Sequence, residues 1–180
     1  MATGGSARGQ TGLDFLVGIG LFLLTVGFVL AFVPGTLTPF SDATEQPLVA
    51  DRLADTVVAG LAEDTEPNVL NTTCTVAFFG VAPDTGCAFD GSETTTADGL
   101  ATELGAPAFT RVNVTLERSV AGTSTRTVRC GTASPLAIGD CSSGSPLATG
   151  NAVPADASVV TATRAVWVDG QDAVVVVRVW

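Results

Sequence analysis

The sequence predicts an α+β protein with an amino-terminal transmembrane helix, followed by an amphipathic helix packed on an antiparallel β-sheet. Three observations carry this reading. About 19 uncharged, almost wholly apolar residues run from Phe15 to Val33. A helical stripe follows over residues 47–64, and from residue 74 short β-rich runs alternate with Gly, Ser, Pro and Asp clusters. A chain of 180 residues, 46% apolar, supports one modest domain plus an appendage.

The first run, FLVGIGLFLLTVGFVLAFV, covers about 28 Å as a helix, enough to cross hydrocarbon. A soluble core helix of this length would show a polar stripe, and here Thr25 stands alone. Pro34, Gly35 and Pro39 predict that the helix ends or bends sharply there. The run is too long for a cleaved secretory signal, and Ala31-Phe32-Val33 makes a poor cleavage site, so the segment reads as a retained anchor. Gly27 and Ala31 form a small-x-x-x-small pair suited to close helix packing. Arg8 and the terminal amine precede the run, whereas Asp42, Glu45, Asp51 and Asp55 follow it with Arg52 as the nearby base. This predicts a cytoplasmic amino end and an external carboxy-terminal domain in a single-pass cell-membrane protein.

In PLVADRLADTVVAGLAED, Val49, Leu53, Val57 and Leu61 recur at steps of four, with Leu48 and Val58 alongside. That stripe predicts a helix packed on a sheet. The acidic opposite face argues against a helix lying on a membrane.

The runs CTVAFFGV, TRVNVTLERSV and STRTVRC predict strands. In the second, Val112, Val114 and Leu116 alternate with Asn113, Thr115 and Glu117, which turns Asn113 to solvent. TADGLATEL reads as a short helix or a loop, and GDCSSGSPLATGNAVPAD as a loop. The last 24 residues predict a hairpin, two β-branched runs flanking Asp169-Gly170-Gln171-Asp172, with Gly170 able to supply positive φ. Val174 to Val177 is too apolar for two wet faces, so the amphipathic helix or a neighbouring subunit should cover it. Trp167 and Trp180 read as core or edge-covering residues.

All four cysteines, Cys74, Cys87, Cys130 and Cys141, follow the apolar run, and their spacing fits no zinc pattern. Of the three pairings allowed, the two local bridges, Cys74 with Cys87 and Cys130 with Cys141, are expected. Each would close a loop of about a dozen residues and stabilise by about 3 kcal/mol, in an oxidising compartment. Asn71-Thr72-Thr73 and Asn113-Val114-Thr115 match the glycosylation acceptor pattern, which has meaning outside the cell.

Eighteen acids face eight bases, every base an arginine, and the chain has no Lys, His or Tyr. A net charge of −10 with scattered arginines excludes nucleic acid as a partner. Acid enrichment without lysine fits a protein of near-saturating salt, where charges are screened within about 3 Å. Without His, Lys and Tyr, most acid–base and nucleophilic arrangements are unavailable, and neither a G-x-S-x-G nor a phosphate loop is present. The sequence therefore predicts no enzyme, metal or cofactor.

One oddity is the acid at the edge of the apolar run. In Arg8-Gly9-Gln10-Thr11-Gly12-Leu13-Asp14, a charged residue precedes a glycine, and an acid stands five positions after that glycine. This resembles the processing signal of archaeal type IV pilin-like proteins, especially the acidic ones of salt-loving archaea. The resemblance covers roughly the first 33 residues. It implies a pilin-like fold and cytoplasmic cleavage between Gly9 and Gln10 by a prepilin peptidase, with the helix kept on the mature chain. It also implies a structural role in a surface filament or its assembly apparatus, with membrane lipid, the peptidase and other pilin-like subunits, identical or different, as partners. Two departures stand out: the family more often carries Glu at the position of Asp14, and Pro34 with Gly35 interrupts a helix that many pilins keep continuous. The resulting organisation is a leader over 1–9, the transmembrane helix over 10–34, a linker and amphipathic helix over 35–73 and a β-rich domain over 74–180. An unprocessed single-pass protein displaying an external β-rich module is the alternative.

Overall fold

The computed structural model describes residues 7–84 and 86–180, with side chains at 7–11 and 33–44 outside the described set. It divides into two units, one ending at Thr44 and one beginning at Glu45. Helix α1 is assigned from Ala7 to Leu61 and so passes through Pro34, Gly35 and Pro39 without the predicted end. A proline removes one backbone hydrogen bond but holds a helical φ, and apolar membrane helices retain such residues. Much of the predicted linker is accordingly helical.

Within the second unit, α1 buries Ala50, Leu53, Ala54, Val57, Val58 and Leu61. This is the 3–4 repeat of a helix with one dry face. Leu48 is 71% exposed and Val49 half-buried, a small rotation from the predicted stripe. The alanines at 50 and 54, invisible to a count of large apolar residues, occupy the buried positions instead.

After α1 come β1 (Ala62–Glu63) and β2 (Glu66–Leu70), which form a small hairpin. The run CTVAFFGV, expected as a strand, lies instead in α2 (Thr72–Phe78) and the turn after it. Asn71 decides this, because its side-chain oxygen accepts the Cys74 amide at 3.0 Å and caps the helix. A short apolar run buried on every side has no period to read, and Thr75 to Phe79 are all buried. TADGLATEL supplies α4 (Ala97–Glu103), preceded by one turn of helix, α3 (Gly91–Thr94).

The main sheet runs β1-β2-β9-β10-β3-β4, built with β3 (Val112–Ser119), β4 (Arg126–Val128), β9 (Val160–Val168) and β10 (Gln171–Val179). All its pairings are antiparallel except β2 with β9. A second sheet joins β5 (Cys130–Ala133), β6 (Leu136–Gly139) and β7 (Ser145–Pro146). The predicted loop after Gly139 thus contains β7 and also β8 (Ala148–Gly150), which pairs with β3. The terminal hairpin forms as expected, with Asp169 at φ 51° and Gly170 at φ 76° making the two-residue turn whose twist suits paired strands.

Register assigns the faces. Leu116, Val114 and Val112 stand opposite Val175, Val177 and Val179, and this inner row joins the buried residues of α1 in one core. The helix therefore covers the sheet face that Val175 and Val177 require. Trp167 is 50% exposed on the outer face beside Val69, so it is not a core residue, while Trp180 is half-buried. On an edge-proximal strand the period-2 alternation outweighs the size of the side chain.

Candidate functional site: an exposed apolar helix and a disulfide-bonded module

The window Gly12–Phe32 of α1 is 21 residues long, has mean hydropathy 2.6, and has no residue buried. Phe15, Leu16, Leu21, Phe22, Leu24 and Leu30 are each about two-thirds exposed on a helix without a polar face. Water would charge heavily for this surface, about 25 cal/mol per Å², whereas lipid tails would not. Even Thr25 is internally satisfied, its hydroxyl donating to the Leu21 carbonyl at 2.8 Å. Phe28 and Phe32 stack one turn apart, ring centres 5.4 Å from each other. Gly27 has open space where a Cβ would sit, and Ala31 is exposed, so the small pair lies on a face free to meet another helix.

Arg8, Gly9 and Gln10 lie in the first turns of α1, and their side chains fall outside the described residues. Asp14 follows one helical turn after Gln10 and is exposed. Backbone placement thus brings the predicted signal residues together at one end of the apolar window.

The second unit carries both expected bridges, Cys74–Cys87 and Cys130–Cys141, and no free cysteine. The first ties α2 to the segment leading into α3. The second links β5 to the turn after β6. Bridges of this kind persist in oxidising compartments, which fits an extracytoplasmic module.

The two sequons differ in their surroundings. Asn71 spends its side-chain oxygen on the α2 cap. Asn113 is half-buried instead of turned to solvent, and its amide nitrogen donates to the carbonyls of Thr149 and Asn151 at 3.2 and 3.0 Å. The added strand β8 creates this environment, which the alternation of β3 alone did not reveal.

Sequence reasoning missed the polar layer on the outer face. Arg178 donates to Glu117 at 2.7 Å and to the Thr115 hydroxyl at 2.9 Å, and Thr115 itself donates to Glu117 at 2.7 Å. A separate polar cluster lies near the β9–β10 turn, where buried Arg129 pairs with Asp140 and donates to Gln171 at 2.7 Å, Gln171 sharing the alternation of Val175 and Val177 and not that of Arg178. Among the described residues no buried side-chain nitrogen or oxygen is left without a hydrogen-bond partner, the arrangement of structural networks. The only signal available in sequence was the polar half of the β3 alternation, Thr115 and Glu117.

On the inner face Arg164 reaches from β9 to α1, with Nε donating to Asp55 at 2.6 Å and Nη1 to Asp51 at 3.3 Å. The hydrogen bond from Arg164 holds the Asp55 carboxyl below its ordinary range, and the same contact raises Arg164. Asp90, which caps α3, is likewise lowered by the hydroxyl and amide of Ser92. Among the described residues no three His, Cys, Asp or Glu side chains converge as a metal set would.

Residues 6–180 match a family of unknown function, DUF7287, and the chain belongs to that family. No curated protein and no solved structure matches it.

Proposed function

We propose that this DUF7287 protein is a type IV pilin-like subunit, a membrane-anchored structural component of a surface filament or its assembly apparatus, cut by a prepilin peptidase after Gly9. The observation that carries the reading is the placement of Gly9, Gln10 and Asp14 at the start of an apolar helix with no buried residue. A disulfide-bonded, acidic module that follows that helix in the chain fits a cytoplasmic amino end and an external domain.

The function is associative. Cleavage leaves a free amine on Gln10 at a helix start, where the macrodipole favours an anion such as Asp14. When apolar helices bundle, the carboxylate of one subunit meets the amine of a neighbour and both charges leave the lipid boundary paired. Gly27 and Ala31 provide a face for close approach between helices. The module decorates the outside, and neither a cofactor nor a reaction is involved.

Expression in otherwise identical cells with and without the prepilin peptidase tests this. The proposal predicts a mature chain shortened by its first nine residues only where the peptidase is present. An identical mass in both cells would leave an unprocessed anchor displaying the module.

A further inference from the structure

We propose that Asn71 carries an N-linked glycan, and that the fold directs modification there by sealing the other acceptor sequence, Asn113-Val114-Thr115. This rests on the module lying outside the cytoplasm and is independent of processing after Gly9.

The acceptor pattern requires two groups, the asparagine nitrogen that takes the sugar and the hydroxyl two residues later. In residues 113–115 both are engaged. The Asn113 nitrogen donates to the carbonyls of Thr149 and Asn151, and the Thr115 hydroxyl donates to Glu117 at 2.7 Å and accepts from Arg178 at 2.9 Å. Thr115 is also buried. Asn113 stands opposite Gly150 in the pairing of β3 with β8, so a sugar on its nitrogen would displace the strand that supplies its partners.

In Asn71-Thr72-Thr73 the same two groups are open. Asn71 and Thr73 are half-buried, yet among the described residues no buried side-chain nitrogen or oxygen lacks a hydrogen-bond partner. The Asn71 nitrogen and the Thr73 hydroxyl make no hydrogen bond among those residues, so both atoms reach solvent. Asn71 sits at a corner where β2 ends and α2 begins, its backbone extended at φ −67° and ψ 119°. Its backbone amide donates to the Leu61 carbonyl at 2.8 Å, and its side-chain oxygen accepts the Cys74 amide at 3.0 Å. The corner is therefore held without the side-chain nitrogen.

The chemistry preserves that arrangement. Transfer from an oligosaccharide carried on a lipid phosphate forms a bond between the Asn71 nitrogen and the anomeric carbon of the sugar. The carbon–oxygen bond to phosphate breaks, the phosphate keeps the electron pair, and one proton leaves the nitrogen. The amide oxygen is untouched and keeps its place in the α2 cap. The order of events does not alter the outcome at either site. A glycan placed on Asn113 before folding would block the β8 pairing, and after folding its acceptor atoms are engaged. At Asn71 either order gives the same folded module.

Peptide mass mapping of the full chain from native membranes, with and without reduction, tests the proposal. A sugar-sized mass increase is expected on the peptide holding Asn71 and none on the one holding Asn113. Thr73→Val should abolish the increase and Thr73→Ser should retain it, with both bridges formed in each variant. An unmodified Asn71 in protein whose four cysteines are bridged would overturn the glycan alone. An unmodified Asn71 with free thiols would overturn the external placement together with it. An increase on Asn113 would overturn the sealing of that site, and one that survives Thr73→Val would overturn the assignment to Asn71.

Discussion

Asp14 occupies the place where a charge is least expected, and its cost explains its use. On insertion scales an unpaired carboxylate at mid-bilayer costs about 2.5 to 3.5 kcal/mol, and less at the boundary. Asp14→Ala should therefore insert as well as the parent chain while losing subunit association, measurable by cross-linking in native membranes. Asp55 bears a different test. Its folded-state pKa is depressed, so its contribution is present above the unfolded carboxylate pKa and is lost as pH falls through the folded one. Melting curves of Asp55→Asn and the parent should differ at pH 7 and converge as pH drops below about 4. At Glu117 the side chain is 8% exposed and depends on Arg178. Arg178→Leu strands that carboxylate and should cost about 3 kcal/mol in denaturant unfolding. Asn113, with its amide nitrogen committed to two carbonyls, should carry no glycan when peptides of the native protein are mapped by mass.

At the scale of elements, α1 and the sheet depend on one another. Leu53 is fully buried between them, and Leu53→Ala should destabilise by about 2–5 kcal/mol in the same denaturant assay. Gly60 marks the close approach to the Phe89 ring, where an added Cβ would overlap it, so Gly60→Ala should also destabilise. What could be read in advance followed from periodicity and turn chemistry. The apolar window, the α1 stripe, β3 and the Asp169-Gly170 hairpin all announce themselves by repeat or by a residue that tolerates positive φ. The misread α2 had no repeat to offer, and only its Asn71 cap spoke for a helix. Strands β2, β7 and β8 are short and polar, and they exist because long-range partners accept them. For the same reason the Asn113 environment and the Arg178 network were hidden until β8 and β10 flanked β3.

At the scale of the whole molecule, the chain is divided between an apolar window that suits lipid and an acidic module closed by two local bridges. A net charge of −10 opposes the compact state in dilute buffer, and high salt relieves it. The identity of the first residue of the mature chain tests the central claim most directly, by intact-mass and terminal-peptide mass spectrometry of protein from native membranes. A chain beginning at Gln10 is the predicted result. A chain that retains Ala7, Arg8 and Gly9 would contradict the pilin-like account.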